Sequence, residues 1–212
     1  MSIVVPFAEQ ETTATVYDAG AGTRRLILGH GAGAGQRSPF MVRWAEGLRA
    51  RGITVVTFDF GYMARGKKLP DRTPLLEACF RAVVDQLGGE RPAIGGKSMG
   101  GRMASHLCAD PLLADRFSGL VLFGYPLHPP GKPEQLRVAH LPRITCPVLV
   151  LQGERDPFGG PDELRPHFSA LRGMRLRAVP GGDHSLEVRP RRLQAELDAT
   201  LQDEVAEFLK NL

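Results

Sequence analysis

Cysteine is scarce in this chain, three residues in 212, at Cys79, Cys108 and Cys146. An odd, widely spaced set excludes a disulfide framework and offers no metal-ligand spacing, so a reducing cytoplasm is the expected compartment, with no metal site. Long apolar runs are also missing. Nothing approaches the ~18 apolar residues of a membrane span, and the first ten residues hold only Ile3-Val4-Val5 as an apolar stretch, without a basic start. Neither a membrane anchor nor an export leader is expected. Lys and Arg exceed Asp and Glu only by 27 to 23, a formal charge of +4, and they are scattered, without the aromatic-interleaved stripe of a nucleic-acid surface. Internal repeats and low-complexity tracts are lacking as well. What is left is one soluble domain over residues 1–212: 42% hydrophobic composition fills one core, and the length is short for two. Oligomeric state is not written in the sequence.

Glycine, by contrast, is plentiful, and its 25 copies cluster at the ends of apolar runs. Strand-like runs fall at about 13–18, 24–29, 53–59, 92–97, 118–124, 147–152 and 174–179, and after the first they alternate with helical patterns. The expectation is an α/β fold: a three-layer sandwich whose mostly parallel sheet of about seven strands is covered by helices on both faces. Leu76, Cys79, Phe80, Val83 and Leu87 recur at helical spacing, as do Leu193, Leu197, Leu201, Val205, Phe208 and Leu212, and each set predicts a buried stripe. Residues 61–72 and 126–146 read as exposed connections.

The most informative segment is Arg91-Pro-Ala-Ile-Gly-Gly-Lys-Ser-Met-Gly-Gly-Arg102, a short apolar strand running straight into a serine flanked by glycines. Gly96-Lys97-Ser98-Met99-Gly100 satisfies Gly-x-Ser-x-Gly, the pattern of a sharp strand-to-helix turn that lifts a serine hydroxyl above a parallel sheet. The flanking glycines answer a steric need, because a Cβ there would collide as strand and helix close around the turn. Gly-Lys-Ser also occurs in phosphate loops, but that pattern needs a glycine where this chain has Arg91.

A serine hydroxyl is a poor nucleophile by itself and needs a base, an acid to orient the base, and donors for a developing oxyanion. Three other strand ends offer them. Arg24 to Leu28 runs into Gly29-His30-Gly31-Ala32-Gly33-Ala34-Gly35, so the amides of Ala32 and Met99 are the expected oxyanion hole. Pro147 to Leu151 runs into Gln152-Gly153-Glu154-Arg155-Asp156, where Asp156 is preferred over Glu154 as the triad acid. Met174 to Val179 leads to Pro180-Gly-Gly-Asp-His184, making His184 the expected base. The chain order Ser98, Asp156, His184 is the one expected of this architecture. His106, His128, His140 and His167 lack such a pattern; His30 alone borders the oxyanion loop and is a candidate to shape it. Gly29-His-Gly-Ala-Gly-Ala34 also fits a loose dinucleotide fingerprint, but its acidic candidate Asp59 stands thirty positions on, and that reading leaves Ser98, Asp156 and His184 unexplained.

With these residues in view, the chain resembles the α/β-hydrolase fold superfamily, and within it the small lidless hydrolases that include testis-expressed and chromatin-complex KANSL-type proteins, with dienelactone hydrolases as more distant kin. The matching pieces are Gly29 to Gly35, Phe58-Asp-Phe-Gly-Tyr-Met63, Gly96 to Arg102, Gly153 to Asp156 and Gly181 to His184. The resemblance implies a hydrolase fold with a Ser-His-Asp triad. One departure is Gly61 where the group's pattern has proline, which implies a looser connection after that strand.

The function expected is a serine hydrolase that cleaves a small ester-like substrate, a carboxylic ester or thioester, through an acyl-enzyme, without cofactor. The alternative is a hydrolase-fold binding module. The short proline-rich connection between Pro126 and Pro147 leaves no room for a cap domain, which suits small substrates better than long acyl chains. The basic residues read first as solvated surface charge; the alternative is that Arg37, Arg65, Lys67, Lys68 and Lys97, which fall on the ligand-binding side of such a sheet, form a basic rim that favours anionic acyl groups.

Overall fold

In the computed structural model, which describes residues 2–212, the seven expected strands are joined by an eighth. The strands are β1 (Ser2–Phe7), β2 (Gln10–Tyr17), β3 (Arg24–Gly29), β4 (Ile53–Phe58), β5 (Ala93–Lys97), β6 (Leu120–Phe123), β7 (Val148–Gly153) and β8 (Arg175–Val179). Their order in the single sheet is β1-β2-β4-β3-β5-β6-β7-β8; β1 and β2 run antiparallel at one edge and the rest are parallel. The added strand contains Ile3-Val4-Val5. Its period-2 signal is blurred because the exposed positions Val4 and Pro6 are apolar too, while only Val5 and Phe7 are buried.

Alternation along the parallel strands sorts the core into two halves. Ile27, Val56, Leu120 and Leu122 point to one side, where they meet α3 (Thr73–Leu87), α4 (Met99–Cys108) and α5 (Pro161–Phe168). Leu26, Leu28, Val55 and Val121 point to the other, against α1 (Pro39–Arg49) and α6 (Gln194–Lys210). A strand buried on both faces has no polar face, which is why these runs read as continuously apolar. The three-layer sandwich is thus present. Leu76, Cys79, Phe80 and Val83 are buried as their spacing requires. Leu193, however, is 45% exposed, because it lies in a 3₁₀ turn ahead of α6, outside the helical register that buries Leu201, Val205 and Phe208.

The connection after β4 is exposed over residues 64–70, as expected of 61–72, but its start is packed. It begins with a one-turn helix, α2 (Gly61–Ala64), in which Gly61 and Tyr62 are buried. A Cβ on Gly61 would lie 2.5 Å from the ring of Phe7, so β1, the strand that sequence reading missed, is what covers it. Residues 126–146 carry no cap helices, only a 3₁₀ turn at Leu141–Arg143. The three cysteines are free and buried. Among the described residues no helix is long and apolar enough to cross a membrane.

Candidate active site

The parallel strands deliver their C-terminal ends to one edge, and the connections that follow β3, β4, β5, β6, β7 and β8 line a cavity of about 650 Å³ there. At the end of β5, Ser98 takes φ 50° and ψ −114°, a backbone conformation that L-residues avoid and that only a tightly constrained turn sustains. The constraint comes from the glycines: a Cβ on Gly100 would strike the Gly29 carbonyl, so β3 and α4 approach there backbone to backbone. Ser98 is held from below by its N–H, which donates to the Phe123 carbonyl at 3.0 Å.

His184 and Asp156 converge on this hydroxyl from the ends of β8 and β7. Nε2 of His184 lies 2.9 Å from Ser98 Oγ, and Nδ1 lies 2.7 Å from Asp156 Oδ2. The carboxylate is buried, so its remaining bonds fix its angle. Oδ1 accepts from the Phe158 amide at 2.9 Å, and Oδ2 accepts from Gln152 Nε2 at 2.9 Å. Gln152 is itself fully buried. Its Nε2 also donates to the Gly159 carbonyl at 2.7 Å, while its Oε1 accepts from the Tyr125 amide at 2.8 Å. One amide side chain therefore ties the acid loop to the end of β6. Sequence reading passed over it; the available signal was a polar residue closing the otherwise apolar run Val148 to Leu151. Glu154, the rival acid, turns away and accepts from the Gly181 amide at 2.9 Å. Gly124, at φ 60°, passes beneath the pair: a Cβ there would lie 2.5 Å from the His184 carbonyl and 3.3 Å from its Nδ1.

Ala32 and Met99 both line the cavity beside Ser98, and the amide of neither has an acceptor among the described residues. Two N–H groups without internal partners beside a serine hydroxyl are the arrangement an oxyanion needs. The loop that carries Ala32 is braced by His30. The Phe60 amide donates to His30 Nε2 at 2.9 Å, so the proton is on Nδ1, which donates to the Gly31 carbonyl at 2.8 Å. Burial holds this imidazole below its ordinary value, keeping it neutral for that double role. Asp59 adds a second brace, accepting from the Gln36 amide at 2.8 Å and from its side chain at 3.1 Å. The Phe58 to Met63 segment thus supports the glycine loop of β3.

Of the five residues of the alternative basic rim, only Lys97 lines the cavity. Arg37, Lys67 and Lys68 are exposed and do not line the cavity. Arg65 forms a two-pronged pair with Asp71 at 2.8 and 2.9 Å. Lys97 turns under the histidine loop, where Nζ donates to the His184 carbonyl at 2.7 Å and faces the Phe40 ring. Burial pulls its ammonium down to about 8, against the opposing pull of Asp156, Asp183 and Glu187. The cations that do line the cavity are Lys97, Arg102 and Arg137. No group of three or more His, Cys, Asp or Glu side chains is gathered to hold a metal ion among the described residues.

A family model described as an alpha/beta hydrolase domain matches residues 22–211. The chain belongs to this hydrolase family. Solved alpha/beta hydrolase structures of the same shape include a dienelactone hydrolase from Anabaena variabilis, with TM-score 0.77, 20% identity and coverage of 100% of this chain and 96% of that one. An esterase of Pyrococcus furiosus superposes with TM-score 0.78 at 17% identity, over 100% of this chain and 92% of that chain. At these identities the likeness is one of fold. In sequence, the human serine hydrolase BPHL is 40% identical over 55 residues, a stretch that covers 23% of this chain and 17% of that protein.

Proposed function

We propose that this alpha/beta hydrolase is a serine hydrolase of small carboxylic esters or thioesters, with Ser98 as nucleophile, His184 as general base and acid, and Asp156 as the orienting acid. The observation that carries the reading is the pair of contacts through one imidazole, 2.9 Å to Ser98 Oγ and 2.7 Å to Asp156 Oδ2. Nδ1–H donates to Asp156, which leaves Nε2 free to accept the serine proton. As the proton leaves, Oγ attacks the ester carbonyl, and the Ala32 and Met99 amides receive the charge that develops on its oxygen. The imidazolium then protonates the leaving alcohol or thiol at Nε2. A water then gives its proton to the same nitrogen and attacks the acyl carbonyl, and as the acyl C–Oγ bond breaks and the carboxylic acid leaves, Nε2 returns the proton to Ser98 Oγ, restoring the starting state. A cavity of about 650 Å³ without cap helices suits a small substrate. The Phe58 to Met63 segment is our ground for placing the chain with the small lidless group of testis-expressed and KANSL-type proteins.

The test is labelling by a neutral fluorophosphonate with peptide mapping, beside p-nitrophenyl acetate hydrolysis by wild type and Ser98→Ala. A single adduct on Ser98 and a loss of about 10³-fold or more in kcat for the variant are expected. No adduct and no turnover would overturn the reading and favour a binding module.

A further inference from the structure

The cavity beside Ser98 carries a charge imbalance that the triad does not use. Arg102 stands one turn along α4 from the serine, its own amide donating to the Ser98 carbonyl at 3.0 Å, and Arg137 comes in from the connection after β6. No ion pair among the described residues involves either guanidinium. Of the acids that line this cavity or the one beside it, Asp71 pairs with Arg65 and Glu77 with His106 at 2.6 Å, and Glu187 and Asp110 pair with neither arginine. Arg102 Nε is buried without a hydrogen-bond partner, and the one side-chain bond of Arg137 is a long one, 3.3 Å from Nη1 to the Pro126 carbonyl. Burial, and then the charge of Arg102, pull the Arg137 guanidinium below its ordinary value, so the two groups repel each other across a partly desolvated wall. A second cavity of about 650 Å³ shares Thr73, Arg102 and Arg137 with the first and is also lined by Arg143, Glu77 and Asp110, so the two arginines border a cavity on either side.

We propose that Arg102 and Arg137 together bind a carboxylate of the substrate, so that the preferred ester carries a free carboxylate remote from the bond being cleaved. The inference rests on the serine hydrolase reading. Guanidinium donors arranged in a fork match a carboxylate bidentately, and an anion between the two arginines would remove their repulsion. The neutral end of the substrate then lies over Ser98 and the Ala32 amide. The residues that select the anion are therefore not the surface cations of the 61–72 connection but two arginines inside the cavity.

Monomethyl and dimethyl adipate differ only in one free carboxylate, and their hydrolysis can be followed by titration at constant pH. Wild type is expected to favour the monoester in kcat/KM by about tenfold or more, the range of a charged hydrogen bond, with the advantage shrinking as salt is raised. Arg102→Gln and Arg137→Gln should each lower the monoester-to-diester ratio by about tenfold, chiefly through KM, and the matching lysine variants should restore part of it. A wild type without preference, or a ratio that survives both glutamine changes, overturns the proposal. If the glutamine variants do not fold, the wild-type ratio and its salt dependence decide by themselves. Turnover of the diester that Ser98→Ala abolishes keeps the hydrolase reading standing whatever the ratio. Failure to cleave either ester, with no fluorophosphonate adduct, overturns both.

Discussion

Replacing Gln152 with Glu changes one atom and should convert the fold into a pH-sensitive one. The amide Nε2 donates to Asp156 Oδ2 at 2.9 Å, to the Gly159 carbonyl at 2.7 Å and to the Tyr125 carbonyl at 3.3 Å, so all its neighbours are acceptors. An ionised carboxylate there would face the Asp156 charge across about the same gap. At an effective dielectric of about 20 the repulsion is about 6 kcal/mol, equivalent to about 4 pH units on the introduced carboxyl. Its folded pKa is therefore raised from about 4.3 toward about 8. A raised acid in the folded state binds more protons than in the unfolded chain, so the variant loses stability as pH rises through that window, by about 1.4 kcal/mol per unit. Below pH 4.3 only the bonds lost by exchanging two N–H donors for one O–H remain, about 1–3 kcal/mol. The assay is urea unfolding followed by Trp44, the single tryptophan and fully buried, at pH values from 5 to 8. Gln152→Leu supplies the control, destabilised by the unpaired Tyr125 amide and Gly159 carbonyl yet without the slope. A wild-type-minus-variant difference that stays flat from pH 5 to 8 would refute the assigned hydrogen bonds and the role of Gln152 in holding Asp156.

Gly124→Ala should cost about 1–2 kcal/mol for a side chain at φ 60° and more for the collision with the His184 carbonyl, with turnover of p-nitrophenyl acetate falling as the imidazole is displaced; urea unfolding and steady-state rates measure both. Lys97→Met should be relatively more stable than wild type at pH 7 than at pH 10. The depressed lysine is charged against its burial below about 8, and that penalty disappears between its folded value and the ordinary 10.5, so an unchanged difference across that range would contradict it. Burial first, with the charges of His106, Arg143 and Arg102, pulls His140 down to about 3, so the unfolded chain takes up a proton near pH 6.5 that the fold refuses. Stability should therefore fall as pH drops below 6.5, and His140→Gln should flatten that slope in acid unfolding curves.

Local chemistry explains which features were legible before any coordinates. Ser98 could be singled out because its turn demands glycine on both sides, and Asp156 and His184 because each follows an apolar run at a glycine-rich exit; sequence marks such groups without knowing what they touch. Strand β1 was missed because its solvent-facing Val4 and Pro6 are apolar and blur the alternation, and Leu193 was misplaced because helical spacing does not reveal where a 3₁₀ turn gives way to α6. The basic rim failed for a different reason. Charge in a loop says nothing of its partners, and only the fold reveals that Arg65 is taken by Asp71 while Arg102 and Arg137 are left without a carboxylate.

The sequence alone determined the alternation of strands and helices, the chain order of the three site residues and the glycines that let backbones meet, since each depends on neighbours within a few positions. Tertiary structure decided the rest: which nitrogen of His30 carries the proton, that Gln152 bridges two strand ends to hold Asp156, and that two arginines from separate elements share one wall. Those are properties of groups brought together across the sheet from distant parts of the chain, where burial removes water as an alternative partner and makes each remaining contact specific.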